Sequence, residues 1–246
     1  MWNAIMWGTI AASATMIGAL IVLKFSIPRR IIAFIMALGT GALIGATTYE
    51  LLEDALEMSG FTYIGLGFLG GALVFTIINI IVSHRGGGNR KHPERSDSSD
   101  KKQAKGAGLG IFIGTVMDTL PESAMIGMSL IGGESVSMAL VISIFISNLP
   151  EGISSTVGLQ QNGYSKKKIF ILWISVVVFS GLSAWGGTLL EGASDNMKAA
   201  MSSFAGGAII AMLASTMMPE AFKKGGPFVG FITAIGLFIS LWLHHW

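Results

Sequence analysis

The chain has 246 residues, 52% of them hydrophobic and only 12% charged, with a formal net charge of +2 and a mean hydropathy of +0.67. A soluble domain usually carries about a quarter charged residues, so this composition excludes a water-soluble globular chain and points to an all-α integral membrane protein. Cysteine is absent, which excludes a disulfide framework and any thiolate metal site.

Apolar runs long enough to cross a hydrocarbon core about 30 Å thick fall at 3–24, 31–52, 62–83, 107–131, 135–159, 168–190, 198–219 and 227–245. They predict eight transmembrane helices in a single domain over 1–246. The first run is longer than a signal-peptide core and has no basic stretch before it, so it reads as a retained span. Span two ends in Glu50, Glu53 and Asp54, followed by Glu57, an acidic mouth of the kind that concentrates cations. After span three, residues 83–106 are rich in Gly, Ser and charges of both signs. They predict a flexible cytoplasmic loop, and with no aromatic residue for stacking they leave nucleic acid out as a partner.

Every Lys and Arg except Lys198 falls on one set of span ends and loops. By the positive-inside rule that set is cytoplasmic, which puts both termini outside, in a plasma membrane or, in a bacterium, the inner membrane. The histidines are His84, His92, His244 and His245, all at span ends or in the loop and none in a bilayer core.

Spans four and five carry MDTLPESAMIG from Met117 and ISNLPEGISST from Ile146. Counted from Glu134 in the short connection between them, Glu122, Asn148, Asp118 and Glu151 lie 12, 14, 16 and 17 residues away. At 1.5 Å per residue all four sit about 18–25 Å below the turn, near mid-membrane. Asp118 and Glu122 are four apart and Asn148 and Glu151 three apart, so each pair shares a helical face. Pro121 and Pro150 remove an N–H each, predicting kinks that free the carbonyls of Met117 and Ile146. Each charge at the bilayer centre costs about 2.5–3.5 kcal/mol, and no core Lys or Arg offsets them. The compensating charge must come from cations or protons, and metal binding at coupled carboxylates displaces protons.

Span seven echoes span two. AGGAIIAMLASTMMPEA from Ala205 aligns without a gap on GTGALIGATTYELLEDA from Gly39, pairing Gly41 with Gly207 and Asp54 with Glu220 at an offset of 166 residues. Five spans lie in that offset, so the copies run in opposite directions through the membrane. Such inverted repeats characterise secondary transporters, here arranged around a central helix pair.

On these residues the chain resembles the ZIP (Zrt/Irt-like) family of divalent metal transporters. That family has eight spans, outside termini, a long loop after span three and motifs of the type His-Asn-x-Pro-Glu-Gly in span four and His/Gln-Asn-x-Pro-Glu-Gly in span five. The strings here are Asp118-Thr119-Leu120-Pro121-Glu122-Ser123 and Ser147-Asn148-Leu149-Pro150-Glu151-Gly152. Asp118, Thr119 and Ser147 replace family ligands. The span-six carboxylate of Gly-Leu-x-Glu-Pro is missing from Gly181-Leu182-Ser183-Ala184-Trp185, and the span-seven His-Glu is Ser215-Thr216.

The resemblance implies a secondary transporter moving zinc, iron or manganese toward the cytoplasm, with protons as possible counter-ions and no enzymatic activity. Its metal ligands would be Asp118, Glu122, Asn148 and Glu151, with Thr119 and Ser147 as secondary ligands. Glu50, Glu53, Asp54, Ser215, Thr216 and Glu220 would line the pathway. An oxygen-only set favours harder ions than an imidazole site does. The expected partners are the cation and membrane lipid, with a homodimer as a further candidate. The alternative reading is a degenerate relative serving as scaffold or metal sensor without transport.

Overall fold

The computed structural model describes residues 2–25, 27–84, 101–131 and 135–245, and among these the chain is helical with no strand. The first span is α1 (Trp2–Lys24). The second runs through α2 (Arg29–Ala46), a π-helical stretch over Thr47–Leu52 and α3 (Glu53–Met58). Four long helices follow: α4 (Phe61–His84), α5 (Lys101–Met128), α6 (Met138–Gln161) and α7 (Lys166–Thr188). The seventh span is built from α8 (Asp195–Met212), a π-helical stretch over Leu213–Met217 and α9 (Met218–Gly225), and α10 (Phe228–His245) completes the set. Among the described residues, seven of these segments are long and apolar enough to cross a membrane. The eighth, α5, carries Asp118 and Glu122 inside its apolar run. The turn expected at 132–134 and most of the loop expected over 83–106 lie outside the described residues; α5 is already helical at Lys101.

Local chemistry sets the helix ends. Ser137 caps α6 by accepting from the Leu140 N–H at 3.1 Å, and Ser165 caps α7 by accepting from the Lys168 N–H at 3.3 Å, each satisfying a donor that the first turn leaves open. Between α6 and α7 the chain reverses through Gly163, whose φ of 77° is open to glycine at no steric cost.

The helices pack in two groups. In the first, α1 lies against both α6 and α7, and α7 also holds α5. The buried face of α1 is made of Ala4, Gly8, Ala11, Ala12, Thr15 and Gly18. In lipid, where no hydrophobic force draws helices together, such small residues let backbones approach and gain dispersion contacts. In the second group α10 packs on α2 and α4 packs on α8, while Leu66, Leu69, Phe231 and Phe238 of α4 and α10 stay exposed as a lipid-facing coat. The groups meet chiefly where α2 crosses α6 and where α5 touches α8.

The repeat seen in spans two and seven extends to their partners. Thr47 and Leu213 open the two π-helical stretches, again 166 residues apart. A Cβ at Gly41 would overlap the Thr233 carbonyl of α10, and a Cβ at Gly207 would overlap the Phe68 carbonyl of α4. Reciprocally, Gly236 meets the Leu38 carbonyl and Gly71 meets that of Phe204. The pair α2–α10 is thus reproduced by α8–α4 at these glycine contacts.

Lys24, Arg29, Lys166 and Lys224 share one end of the bundle, called the basic face below. The opposite face holds Met58, Met128, Asp195 and His245.

Candidate metal site

Pro121 and Pro150 lie within α5 and α6, and both helices continue through them. Around the prolines, Asp118, Glu122, Asn148 and Glu151 are all withdrawn from solvent, with Glu122 and Asn148 at 0% exposure and Glu151 the most open at 5%. The charges of Glu151 and Asp118 both bear on Glu122, so the three carboxylates belong to one electrostatic neighbourhood.

Hydrogen bonding singles out two of these residues. Asn148 Nδ2 donates to the Ala11 carbonyl of α1 at 3.4 Å, which fixes the amide and turns its oxygen the other way. That oxygen, and both carboxylate oxygens of Glu122, are buried with no hydrogen-bond partner. Buried polar atoms are almost always paired, and a buried carboxylate without a donor is strongly disfavoured unless a positive charge or a proton joins it. The residues present therefore fit a cation guest.

Thr119 and Ser147 are buried beside them, but their hydroxyls donate back along their own helices, Thr119 to the Thr115 carbonyl at 2.7 Å and Ser147 to the Ile144 carbonyl at 2.9 Å. Each keeps acceptor lone pairs. Among the described residues no three His, Asp or Glu side chains converge closely enough to hold a metal alone, so any cation here needs amide, hydroxyl or backbone oxygens as well.

One turn toward the basic face, the hydroxyls of Thr115 and Ser155 lie 3.0 Å apart and join α5 to α6. Trp173 of α7 donates to Thr156 at 2.8 Å. Ser183 donates to the Leu120 carbonyl at 2.8 Å, so span six supports the site helix where it lacks a carboxylate.

The expected pathway residues divide. Thr216 and Glu220 are buried and line a small hollow with Glu151, Ser154 and Ser155. Ser154 donates to Glu220 Oε1, a link that motif spacing does not reveal. Ser215 is exposed and donates to the Ala211 carbonyl, away from this hollow. On the opposite face Glu53, Asp54 and Glu57 are exposed, and Glu50 Oε1 lies 2.9 Å from Nδ1 of His244, whose ring stacks on Tyr49. The sequence places His244 at a span end, and nothing local pairs it with Glu50, which lies far away in the chain. A second hollow between α5, α7 and α8 is lined by Leu120, Pro121, Met128 and Phe204 among others. Its walls are apolar except for Ser183 and carry no charged side chain.

No protein-family model matches the chain. It is similar to a protein of Arabidopsis thaliana provisionally described as a zinc transporter, with 23% identity over 219 residues covering 88% of this chain and 34% of that protein. It is also similar to the zinc transporter ZupT of Stenotrophomonas maltophilia (strain K279a), with 26% identity over 148 residues covering 56% of this chain and 55% of that protein. The chain thus spans about a third and about half the length of these relatives. The resemblance to the ZIP family rests on these matches together with the doubled Pro-Glu motif.

Proposed function

We propose that the chain is a secondary transporter of divalent metal cations, with Asp118, Glu122, Asn148 and Glu151 as a midplane transport site and the basic face toward the cytoplasm. The observation that carries this reading is that both fully buried Glu122 oxygens and the buried Asn148 oxygen lack a hydrogen-bond partner. The zinc-transporter names of the two relatives support the substrate class.

In this reading a cation enters from the face bearing Glu50 and His244. It displaces protons from the clustered carboxylates and takes Glu122, Asn148 and Glu151 as ligands. The group α1, α5, α6 and α7 then shifts against the group α2, α4, α8 and α10 and opens the site toward Thr216 and Glu220. Residues 1–246 act as one transmembrane domain, with the connection between α4 and α5 on the cytoplasmic side. The oxygen-rich set leads us to expect manganese to be carried at least as well as zinc or iron.

Uptake of radioactive manganese or zinc by proteoliposomes tests the proposal. E122A/E151A is expected to fall to the level of protein-free vesicles while eluting as folded protein. Wild-type uptake in that double variant would overturn the site. Absence of flux in the wild type would favour the scaffold reading, which the missing span-six and span-seven ligands support.

A further inference from the structure

We propose that Lys224 is a tethered stand-in for the transported cation, occupying an inner station made by Glu220 and Ser154 and displaced by each ion that leaves the midplane. The proposal rests on the transport reading above and concerns how its exit is regulated.

Glu220 is 9% exposed and belongs to α9, in the second helix group. Two donors converge on its Oε1. One is the Ser154 hydroxyl of α6, in the first group. The other is Lys224 Nζ at 2.6 Å, one turn further along α9. The carboxylate therefore bridges the two groups while an ammonium neutralises it. The hollow beside it is also lined by Glu151, Ser155 and Thr216, so a carboxylate of the midplane set and this inner one face the same small hollow. A cation moving from Glu151 toward the basic face meets Glu220 next, with hydroxyl oxygens of Ser154, Ser155 and Thr216 around it.

The chemistry of the two occupants differs in a useful way. A divalent ion carries twice the charge of an ammonium and takes several oxygen ligands at once, so it can displace Nζ. The lysine side chain is 21% exposed and sits on a flexible stem, so it can swing to water and return. Its return at high local concentration, set by a tether of one helical turn, expels the ion. The inner station then binds a metal only in passing, and no ion is stranded there.

The test counts metal on the full-length protein in detergent, by equilibrium dialysis against manganese or zinc alone followed by elemental analysis. K224Q and, independently, K224M are expected to hold one ion more per chain than the wild type, with the added site at least about tenfold tighter than any inner binding by the wild type. K224R, which keeps a cation, is expected to return to the wild-type count, and K224Q/E220Q to lose the added ion. Unchanged stoichiometry in both K224Q and K224M would overturn the proposal, as would an added ion that survives E220Q. The midplane reading is judged separately, by whether E122A/E151A holds less metal than the wild type. The gain in K224Q over its parent is a difference that stands or falls whichever way that comparison comes out.

Discussion

Spans two and seven have nearly the same backbone and different connections. Each runs as helix, π-helical stretch, helix, at one offset, and each is clasped through a glycine by its own partner, α10 or α4. The side chains within and after the shared π stretch diverge. In span two Glu50 bonds to His244 of α10, a helix of its own group. In span seven Glu220, the counterpart of Asp54, bonds to Ser154 of α6, a helix of the other group. Of these two pairs, one ties helices within a group and the other ties helices across the seam. A fold with inverted symmetry has no preferred direction in its backbone, and direction enters through these few polar side chains.

Three experiments break or sharpen that comparison. The largest effect is expected at the shared clasp. G41A and G207A each drive a methyl group into a backbone oxygen that cannot swing aside, and each should cost about 3 kcal/mol of stability, read as lowered thermal unfolding in detergent. The control G65A in α4, where a Cβ meets nothing, should lose no stability and gain up to about 1 kcal/mol from helix propensity. Unequal losses at Gly41 and Gly207 would end the claim of equivalent clasps.

Cutting the cross-seam tie comes next. E220Q weakens a charge-assisted bond worth about 1.5 kcal/mol, which should raise the open population about tenfold. Because the chain has no native cysteine, S155C gives a single reporter, and its labelling by an impermeant maleimide from the basic face should rise by that factor. The smallest effect belongs to E50Q, which disturbs a partly exposed pair worth about 0.5 kcal/mol within one group. It should leave S155C labelling unchanged, and increased labelling would make the opposite face a second cross-seam lock.

The parts of the molecule legible in sequence were those governed by local rules. Eight apolar runs located the spans because a membrane core demands about 20 such residues. The doubled Pro-Glu motif was visible because helix periodicity and depth can both be counted from a turn. The alignment of Gly39–Ala55 on Ala205–Ala221 located the repeat. Its extension to α4 and α10 was not legible, since those helices match through where their glycines sit against a neighbour rather than through identities. The π-helical stretches were equally silent: Thr47–Leu52 and Leu213–Met217 share no residue type that announces a changed hydrogen-bond register. Ser154 and His244 went unread as partners of Glu220 and Glu50 for a simpler reason. These pairs are contacts across the fold, and one sequence holds no record of them.

The π-helical stretch also carries history. A π turn closes over one residue more than an α turn, so it enters a helix as a single-residue insertion. Finding it at the same place in both copies makes one insertion, followed by duplication of the segment, the most economical order of events. On that order of events the π-helical stretch is older than the eight-span protein, and the polar chemistry that now distinguishes Glu50 from Thr216 was written onto a shape already present in both copies.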